Sequence, residues 1–453
     1  MPLNAAAGCE PGTFHAMAQA LRKVIFLLLG AVFWPTPGRG DPAPASRPGW
    51  SLDFNPHLST LGTRPEWSQL DRWQDTISKE TFVKTLQDLY TSQLGGWEQW
   101  VKVGEGGADI VMDAGEPGRT YRLRFAPTDR PVAARAWRSP AELGPVADAT
   151  KPLAGVRIAI DPGHIGGPWA RLEQRFFQIG KDPPVQEGNL TLATARRLQT
   201  RLEQAGAEVV MLRRWLRPVS PLRPLALTGY ARAMLKDAGL VDPPLAVLER
   251  TRNHIFSVNA EIRARAARAH NTVRPDLVLC LHFNAEPWGS AGSPTFSDKN
   301  HVHALVNGCV LPEEWAHDDE RFETLARLLQ RTHEVEHGLA AAVAASLAAA
   351  TGLPAYEYKG PNARATSVSK FVWARNLLAT RLYPCPVVFL EPHVMNHKLT
   401  YERIQAGGYH GQRKIGGVAR ASLFDEYADA TATAVAAWYA AQRPPRPAAA
   451  NDE

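Results

Sequence analysis

The sequence predicts an α/β fold: a twisted, mostly parallel β-sheet flanked by helices and preceded by a small α+β N-terminal region. From about residue 155, short apolar runs alternate with segments of helical periodicity, which is typical of βαβ units. The apolar runs are short and nearly continuous, as buried parallel strands are. Before residue 150 the order is different, because one helical segment is followed by three short strand-like runs.

Each element of the alternating region has its own signal. The predicted strands are VRIAI (156–160), AEVVML (207–212), DLVLCLHF (276–283) and PVVFLE (386–391). The predicted helices cover 189–206, 261–270, 336–351 and 423–442. Gly206 supplies a stop for the first of them. Two stretches, about 214–258 and 290–335, interrupt the alternation, and we interpret both as insertions over one edge of the sheet.

The region 50–150 predicts a small separate module without a catalytic constellation. Ser78 is positioned to cap a helix that runs to Leu94. One face of this helix carries Phe82, Leu86 and Leu89. Strands are expected over 97–103, 108–112 and 120–126. The tryptophans of this region could form a carbohydrate platform, but a core position is the commoner role.

The N-terminus has the pattern of an export signal. Arg22 and Lys23 precede an apolar run over 24–34, and a Pro/Gly/Ala-rich stretch follows. We therefore predict that residues 1–45 are a signal peptide and linker, with Met17 an alternative start to Met1. The run is short for a bilayer span, so no stable membrane span is expected after cleavage, and the mature protein is expected in the periplasm or secreted. Residues 441–453 are predicted to be a disordered tail.

Composition limits the function classes. The chain has 453 residues, 45% of them hydrophobic, which is enough for a sizeable core. The net charge of +6 is mild for this length, and no basic stripe with interleaved aromatic residues is present, so nucleic acid is not an expected partner.

The cysteines do not form a framework. Cys9 lies before the apolar run, which leaves Cys280, Cys309 and Cys385 in the mature chain. At most one disulfide could form among three cysteines, and their spacing does not match a zinc-thiolate motif.

Three groups that can bind a metal stand at element ends of the alternating region. His164 follows the first strand, Glu187 lies just before the first helix, and His282 lies at the end of the strand 276–283. Because parallel strands place their carboxyl ends at one edge of a sheet, these groups can converge. Two imidazoles and one carboxylate are a known ligand set of catalytic zinc, with the fourth position open.

These residues carry a family resemblance. The segments IAIDPGHIGG, EGNLTLATARRLQTRLEQAGAEVVMLRR, RARAARAHNTVRPDLVLCLHFNA and CPVVFLEPHVMNH resemble the zinc-dependent N-acetylmuramoyl-L-alanine amidases of the amidase_3 type. The resemblance covers about residues 155–440 and implies a catalytic domain there. It implies that His164, Glu187 and His282 bind Zn²⁺ and that Glu391 is the catalytic glutamate. It also implies peptidoglycan as the substrate, cleaved between N-acetylmuramic acid and L-alanine.

The chain departs from the family pattern at three places. Ile165 is inserted where the family usually has His-Gly-Gly, and Cys280 stands where serine is usual. Glu391 is followed by Pro392 and His393 rather than by a small residue, glycine and phenylalanine. These changes concern the substrate more than the ligand set.

Two other histidine groups offer rival metal sites. HEVEH at 333–337 satisfies the zincin signature, with Glu357 as a third ligand. Its charged surroundings favour a solvated helix instead. His301 and His303 alternate on a predicted strand, where a second metal or plain polar strand residues are the alternatives.

The sequence therefore predicts a zinc amidase of the cell envelope with Glu391 as general base. The alternatives are another zinc peptidase of the envelope, or a catalytically silent module that binds cell wall or regulates another hydrolase. An activator protein that opens the site is a partner whose identity the sequence leaves unknown.

Overall fold

The computed structural model describes residues 50–132, 135–290 and 293–444, so the predicted signal region and the end of the tail lie outside it. Within these residues the strands, in chain order, are β1 Val101–Val103, β2 Gly107–Val111, β3 Thr120–Arg124, β4 Arg157–Pro162, β5 Phe176–Phe177, β6 Val185–Gln186, β7 Glu208–Met211, β8 Leu277–Leu281, β9 Gly289–Ser290, β10 Ser293–Pro294, β11 Val302–Val306, β12 Arg364–Ala365, β13 Val372–Ala374, β14 Val387–Pro392, β15 Arg413–Ile415 and β16 Val418–Arg420.

The α-helices of the same residues are Lys79–Thr85, Pro140–Leu143, Glu187–Gln204, Thr228–Asp237, Leu245–His254, Glu261–Arg268, Pro312–Trp315, Asp318–Gln330, His333–Thr351, Leu378–Leu382, Lys398–Gln405 and Leu423–Gln442. Short 3₁₀ or π segments extend or connect them at Trp67–Trp73, Leu86–Tyr90, Trp97–Gln99, Gly167–Trp169, Pro224–Leu227, Ile255–Ala260 and Ala269–Val273. Among the described helices, none has both the length and the apolar character needed to cross a bilayer.

Seven strands form the main sheet, in the order β12-β13-β11-β14-β8-β4-β7. The run from β14 through β8 and β4 to β7 is parallel, and β11 is parallel to β13. β11 is antiparallel to β14, and β12 is antiparallel to β13. The sheet is thus mixed but mostly parallel, and the predicted fold class is confirmed.

The elements expected in the alternating region are present. The four predicted strands correspond to β4, β7, β8 and β14, and the four predicted helices are found with small shifts at their ends. Gly206 has φ of 100° directly after the helix Glu187–Gln204, as a helix stop requires.

The interpretation of 290–335 as an edge insertion is wrong. This stretch contains β11, which is buried along its whole length and lies between β13 and β14. A strand was predicted at His301 and His303, but its place in the main sheet was not. It is antiparallel to its neighbour β14, so it does not belong to a repeating βαβ unit. The stretch 214–258 is helical, and its apolar residues form a hydrophobic cluster of their own, which includes Leu222, Leu227, Tyr230, Leu235, Leu248 and Ile255.

The two faces of the sheet enter different clusters. On β8, Leu277, Leu279 and Leu281 face the helices Glu187–Gln204, His333–Thr351 and Leu423–Gln442. Val278 and Cys280 face the other side. Cys280 is fully buried, and Cys280, Cys309 and Cys385 are all free thiols. Cys280 is therefore a small core residue.

The N-terminal region shares the larger cluster with the sheet. Trp67, Phe82 and Trp97 are buried in it, so these tryptophans are core residues. Ser78 caps its helix by accepting the N–H of Thr81 at 3.2 Å. The helical segment ends as a π turn at Tyr90, earlier than predicted.

The first residues of this region bind to two later parts of the chain. The N–H of Leu61 donates to the hydroxyl of Tyr230 at 2.9 Å, and the N–H of Ser59 donates to Asp319 at 2.8 Å. We call residues 50–62 the N-terminal strap.

The expectation of a solvated helix around HEVEH is wrong. The Glu336 side chain is fully buried, pairs with Arg327, and accepts the N–H of Val387 at 2.9 Å. In the preceding helix, Glu320 is buried against Arg381 at 3.0 Å. These charged residues can be buried because each forms an ion pair. The partner of Glu320 lies about sixty residues further along the chain, and the partner of Glu336 lies in the preceding helix.

Candidate metal centre

His164, Glu187 and His282 come together at the carboxyl end of the parallel strands. One ligand atom from each lies within 4.8 Å of the others, and no second group of this kind occurs in the described ranges. The Glu187 carboxylate lies between the two imidazoles, 3.1 Å from Nε2 of His164 and 3.1 Å from Nδ1 of His282. The geometry therefore brings the three sequence-predicted ligands into one centre.

The loop after β4 holds His164 in an unusual backbone conformation. His164 has φ of 57°, in the left-handed region that a non-glycine residue adopts only when its surroundings fix it. Arg265 supplies this restraint, since its guanidinium donates to the carbonyl of His164 at 2.7 Å and pairs with Asp161 at 2.8 Å. The side chain of Arg265 is 2% exposed, so the loop rests on a buried ion pair.

Gly163 makes room for His282. A Cβ at position 163 would lie 2.3 Å from the His282 ring, which is closer than any side chain allows. On its other side the His282 ring stacks on Phe389, with centroids 4.2 Å apart and an angle of 17°. The imidazole is therefore clamped between a glycine and an aromatic ring.

Glu187 is the first residue of the helix Glu187–Gln204, and backbone contacts fix this helix end. Gly166 and Gly188 approach so closely that a Cβ on either would clash with the other segment. The Glu187 carboxylate accepts the N–H of Phe283 at 3.2 Å and lies 3.3 Å from Nε of Arg175.

Glu173 supports the loop, and sequence reasoning missed it. Its carboxylate accepts the N–H groups of Ile165 at 2.7 Å and Gly166 at 3.0 Å. It also lies 3.7 Å from Nδ1 of His164. Carboxylates in this position orient a histidine ligand. No family pattern pointed to a glutamate at this spacing, so only the fold reveals it.

Ile165, the inserted residue, now has a structural explanation. Its side chain is fully buried in the cluster of the helical insertion, with Leu222, Tyr230 and Phe256. The inserted residue therefore joins the metal loop to the inserted helices.

The electrostatics fit a cation site. Burial lowers the pKa of His164. The charge of Glu187 and the hydrogen bonds with Glu173 and Glu187 outweigh this effect and raise the pKa to about 9. Burial raises the pKa of Glu187, but the charges and hydrogen bonds of His164 and His282 outweigh burial and hold this pKa well below its usual value. The group thus concentrates negative potential between two imidazoles, where a positive charge is favoured.

Glu391 lies near this centre on β14. Leu390 pairs with Leu281 across the parallel strands, so Glu391 is level with His282 at the same end of the sheet. Glu391 and Phe389 alternate with Leu390 and share one face. Burial and the charge of Glu187 raise the pKa of Glu391 to about 8, while Arg375, His164 and Arg175 oppose this rise.

The donor set fits zinc. Two imidazoles and a carboxylate, with an open fourth position, are ligands that Zn²⁺ accepts in catalytic sites. The rival histidines do not form such a group: among the described residues, neither His333 nor His337 belongs to a cluster of three possible ligands, and their ring centroids are 6.1 Å apart. His301 and His303 pack against Tyr356, with ring centroids 4.4 and 5.0 Å from it.

Comparison with known proteins defines the class. Residues 158–416, more than half of the chain, match the Amidase_3 family, described as N-acetylmuramoyl-L-alanine amidase. The chain belongs to this family and is an amidase of the kind that acts on peptidoglycan. None of the curated proteins matches the sequence.

Solved structures that match this chain include three with low sequence identity. Ami1 from Mycobacterium smegmatis is 16% identical, covering 64% of this chain and 99% of its own, with a TM-score of 0.34. The CwlD amidase from Clostridioides difficile, in complex with the GerS lipoprotein, is 12% identical, with 63% and 98% covered and a TM-score of 0.35. AmiC2 of Nostoc punctiforme is 13% identical, with 63% and 96% covered and a TM-score of 0.30.

Proposed function

We propose that this chain is a zinc-dependent hydrolase that cleaves the amide between N-acetylmuramic acid and the L-alanine of the stem peptide. The observation that carries the proposal is the group His164, Glu187 and His282 at the sheet edge that also holds Glu391. His164, Glu187 and His282 would hold the ion. When bound, Zn²⁺ supplies Lewis acidity that polarises a carbonyl and makes a water more acidic.

Glu391 is the general base of this proposal. Its carboxylate accepts a proton from the attacking water and then delivers it to the leaving amine. Burial and Glu187 raise its pKa to about 8, and a divalent cation among the ligands lowers it again because positive charge favours the carboxylate. A base with a pKa near neutral is efficient at physiological pH.

The surroundings of the site have proposed roles as well. Residues 155–440 are the catalytic domain, and 50–150 are an accessory part whose core is continuous with it. Residues 1–45 direct export, so that the enzyme works on peptidoglycan in the cell envelope. The helical stretch 214–258 packs against Ile165 of the loop that carries His164, and an activating partner would act by moving this stretch.

Product analysis tests the reaction. The zinc-loaded protein is incubated with purified muropeptides, and the expected products are free stem peptide and peptide-free muramic acid. Cleavage within the peptide would instead identify a peptidase. Zinc binding without any cleavage would identify a silent wall-binding module.

Elemental analysis tests the ligands. We expect one zinc per chain, lost in His164→Ala and in His282→Ala. His410→Ala is the matched control, since it removes an exposed imidazole on another surface and should keep the ion. Full zinc occupancy in both ligand variants would overturn the assignment.

A further inference from the structure

One wall beside Glu391 remains unexplained by this mechanism. The antiparallel register of β11 and β14 places His303 directly opposite Glu391, on the same face of the sheet. The His303 side chain is fully buried, and a hydrogen bond of 3.0 Å joins its Nε2 to the hydroxyl of Tyr358. Burial lowers the pKa of His303 to about 3, so this imidazole is neutral and adds no positive charge beside Glu391.

Tyr358 connects this wall to Arg375. The guanidinium carbon of Arg375 lies 5.5 Å from the centroid of the Tyr358 ring, so the cation packs against this aromatic ring. Tyr358 also contacts the Trp373 ring at 5.4 Å. Arg375 is thereby held at a fixed place relative to Glu391, through Tyr358 and His303.

Arg375 has no close ion-pair partner. In the part of the chain that the structure describes, the ion pairs within 4.0 Å include Arg364 and Arg381 but not Arg375, although its side chain is only partly exposed. It is close enough to Glu391 to oppose the rise of that pKa. Arg175, another cation near Glu391, is already paired with Glu187 at 3.3 Å.

A partly buried cation without a counterion is costly, and a ligand anion removes that cost. A guanidinium pairs best with a carboxylate, because its planar fork donates two parallel hydrogen bonds. The substrate of the proposed reaction carries such groups on its peptide portion. The Tyr358 ring beside Arg375 restricts its motion, so less conformational freedom is lost when the anion binds.

We propose that Arg375 binds a carboxylate of the stem peptide and makes the enzyme select peptides with free carboxyl groups over amidated ones. This inference rests on the proposed amidase function. Tyr358 is a positioning residue for Arg375, because it holds the guanidinium without a charge of its own.

The test uses two synthetic muramoyl-L-alanyl peptides that differ only in having free peptide carboxyl groups or carboxamides. We expect the zinc-loaded wild-type enzyme to cleave the free-acid peptide with a kcat/KM about 10–100-fold higher than the amide, mainly through KM. Arg375→Met should bring this ratio close to one. Any effect of the lost charge on Glu391 changes the turnover of both peptides alike and so leaves the ratio unaffected. Tyr358→Phe should reduce the ratio by a smaller factor.

Arg119→Met is the matched control, because it removes one exposed arginine in the turn between β2 and β3. It should leave the ratio unchanged, and zinc content and circular dichroism should match wild type in every variant. A wild-type ratio near one, or an unchanged ratio in Arg375→Met, overturns the inference. If the wild-type enzyme cleaves neither peptide, the proposed function itself fails, which is a different result.

Discussion

Two carboxyl groups at opposite ends of the same sheet have different surroundings. Asp276, just before β8, is fully buried and accepts the backbone N–H groups of Arg138 and Arg157, both at 2.9 Å. The guanidinium groups of both arginines also pair with it. Burial raises the pKa of Asp276, but these hydrogen bonds outweigh burial and bring the pKa below its usual value.

Glu391, at the carboxyl end of β14, has the reverse balance. Burial and the charge of Glu187 prevail over the nearby cations, and its pKa is about 8. From this difference we expect Asp276 to contribute to stability and Glu391 to contribute to turnover. The following predictions test this contrast.

Glu391→Gln should have the largest effect. The amide keeps the size of the side chain but cannot accept a proton, so turnover should fall about 10²–10⁴-fold. Zinc content and the free energy of unfolding should be retained, because no compensated ion pair is lost. Turnover on muropeptides is the measurement, with Glu116→Gln on the exposed surface as control. Near wild-type turnover with zinc bound would show that Glu391 is not the base.

Asp276→Ala should act on stability instead. Removing one partner of a buried ion pair costs about 3–5 kcal/mol, and we expect roughly 2–3 kcal/mol because Arg138 and Arg157 reach solvent. Urea denaturation measures this loss, and the zinc content of the folded protein should not change. A loss below about 1 kcal/mol would contradict the role assigned to Asp276.

The same contribution should depend on pH in a defined direction. The pKa of Asp276 is lower in the folded than in the unfolded chain, so its stabilisation is present above the unfolded value, about 3.9, and is lost as the pH falls through the folded value. The difference in unfolding free energy between wild type and Asp276→Asn should therefore shrink between pH 7 and pH 3. A constant difference would rule out this linkage.

Gly163→Ala should have a moderate effect on the metal centre. The added methyl group would displace the His282 ring, and displaced ligands typically cost about 10–100-fold in metal affinity. Competition with a chelator measures it. Gly118→Ala is the control, since a Cβ there meets nothing within 4 Å. Equal zinc affinity in the two variants would show that the ring is not clamped.

The double variant His333→Ala/His337→Ala should have the smallest effect on function. Neither imidazole belongs to the metal group, so zinc content and turnover should remain. The unfolding free energy should fall modestly, because both residues are partly buried. Loss of zinc from a folded double variant would favour the zincin interpretation instead.

The sequence predicted the grouping of His164, Glu187 and His282 because each residue stands at an element end that local patterns define. His164 follows an apolar run and a turn, Glu187 opens an amphipathic helix, and His282 closes a continuous apolar run. The parallel order of the strands then brings these ends together.

What the sequence could not show depends on pairing over long distances. The position of β11 inside the main sheet was not predicted, because its antiparallel partner β14 lies more than eighty residues away along the chain. The charges around HEVEH looked solvated because Arg381, the partner of Glu320, lies beyond that stretch. Tyr358 and Arg375 carry no motif, and only the register of β11 and β14 places them near Glu391.

The N-terminal strap has a consequence for the order of folding. Ser59 bonds to Asp319 across 260 residues, and Arg443 donates to the carbonyl of Gly144 across 299 residues. Contacts this distant close late and slowly, because the intervening chain must first be brought together. The first residues of the described chain therefore find their partners only after most of it has been synthesised. Joining the two ends of the described chain to the rest is therefore expected to be a late step of folding.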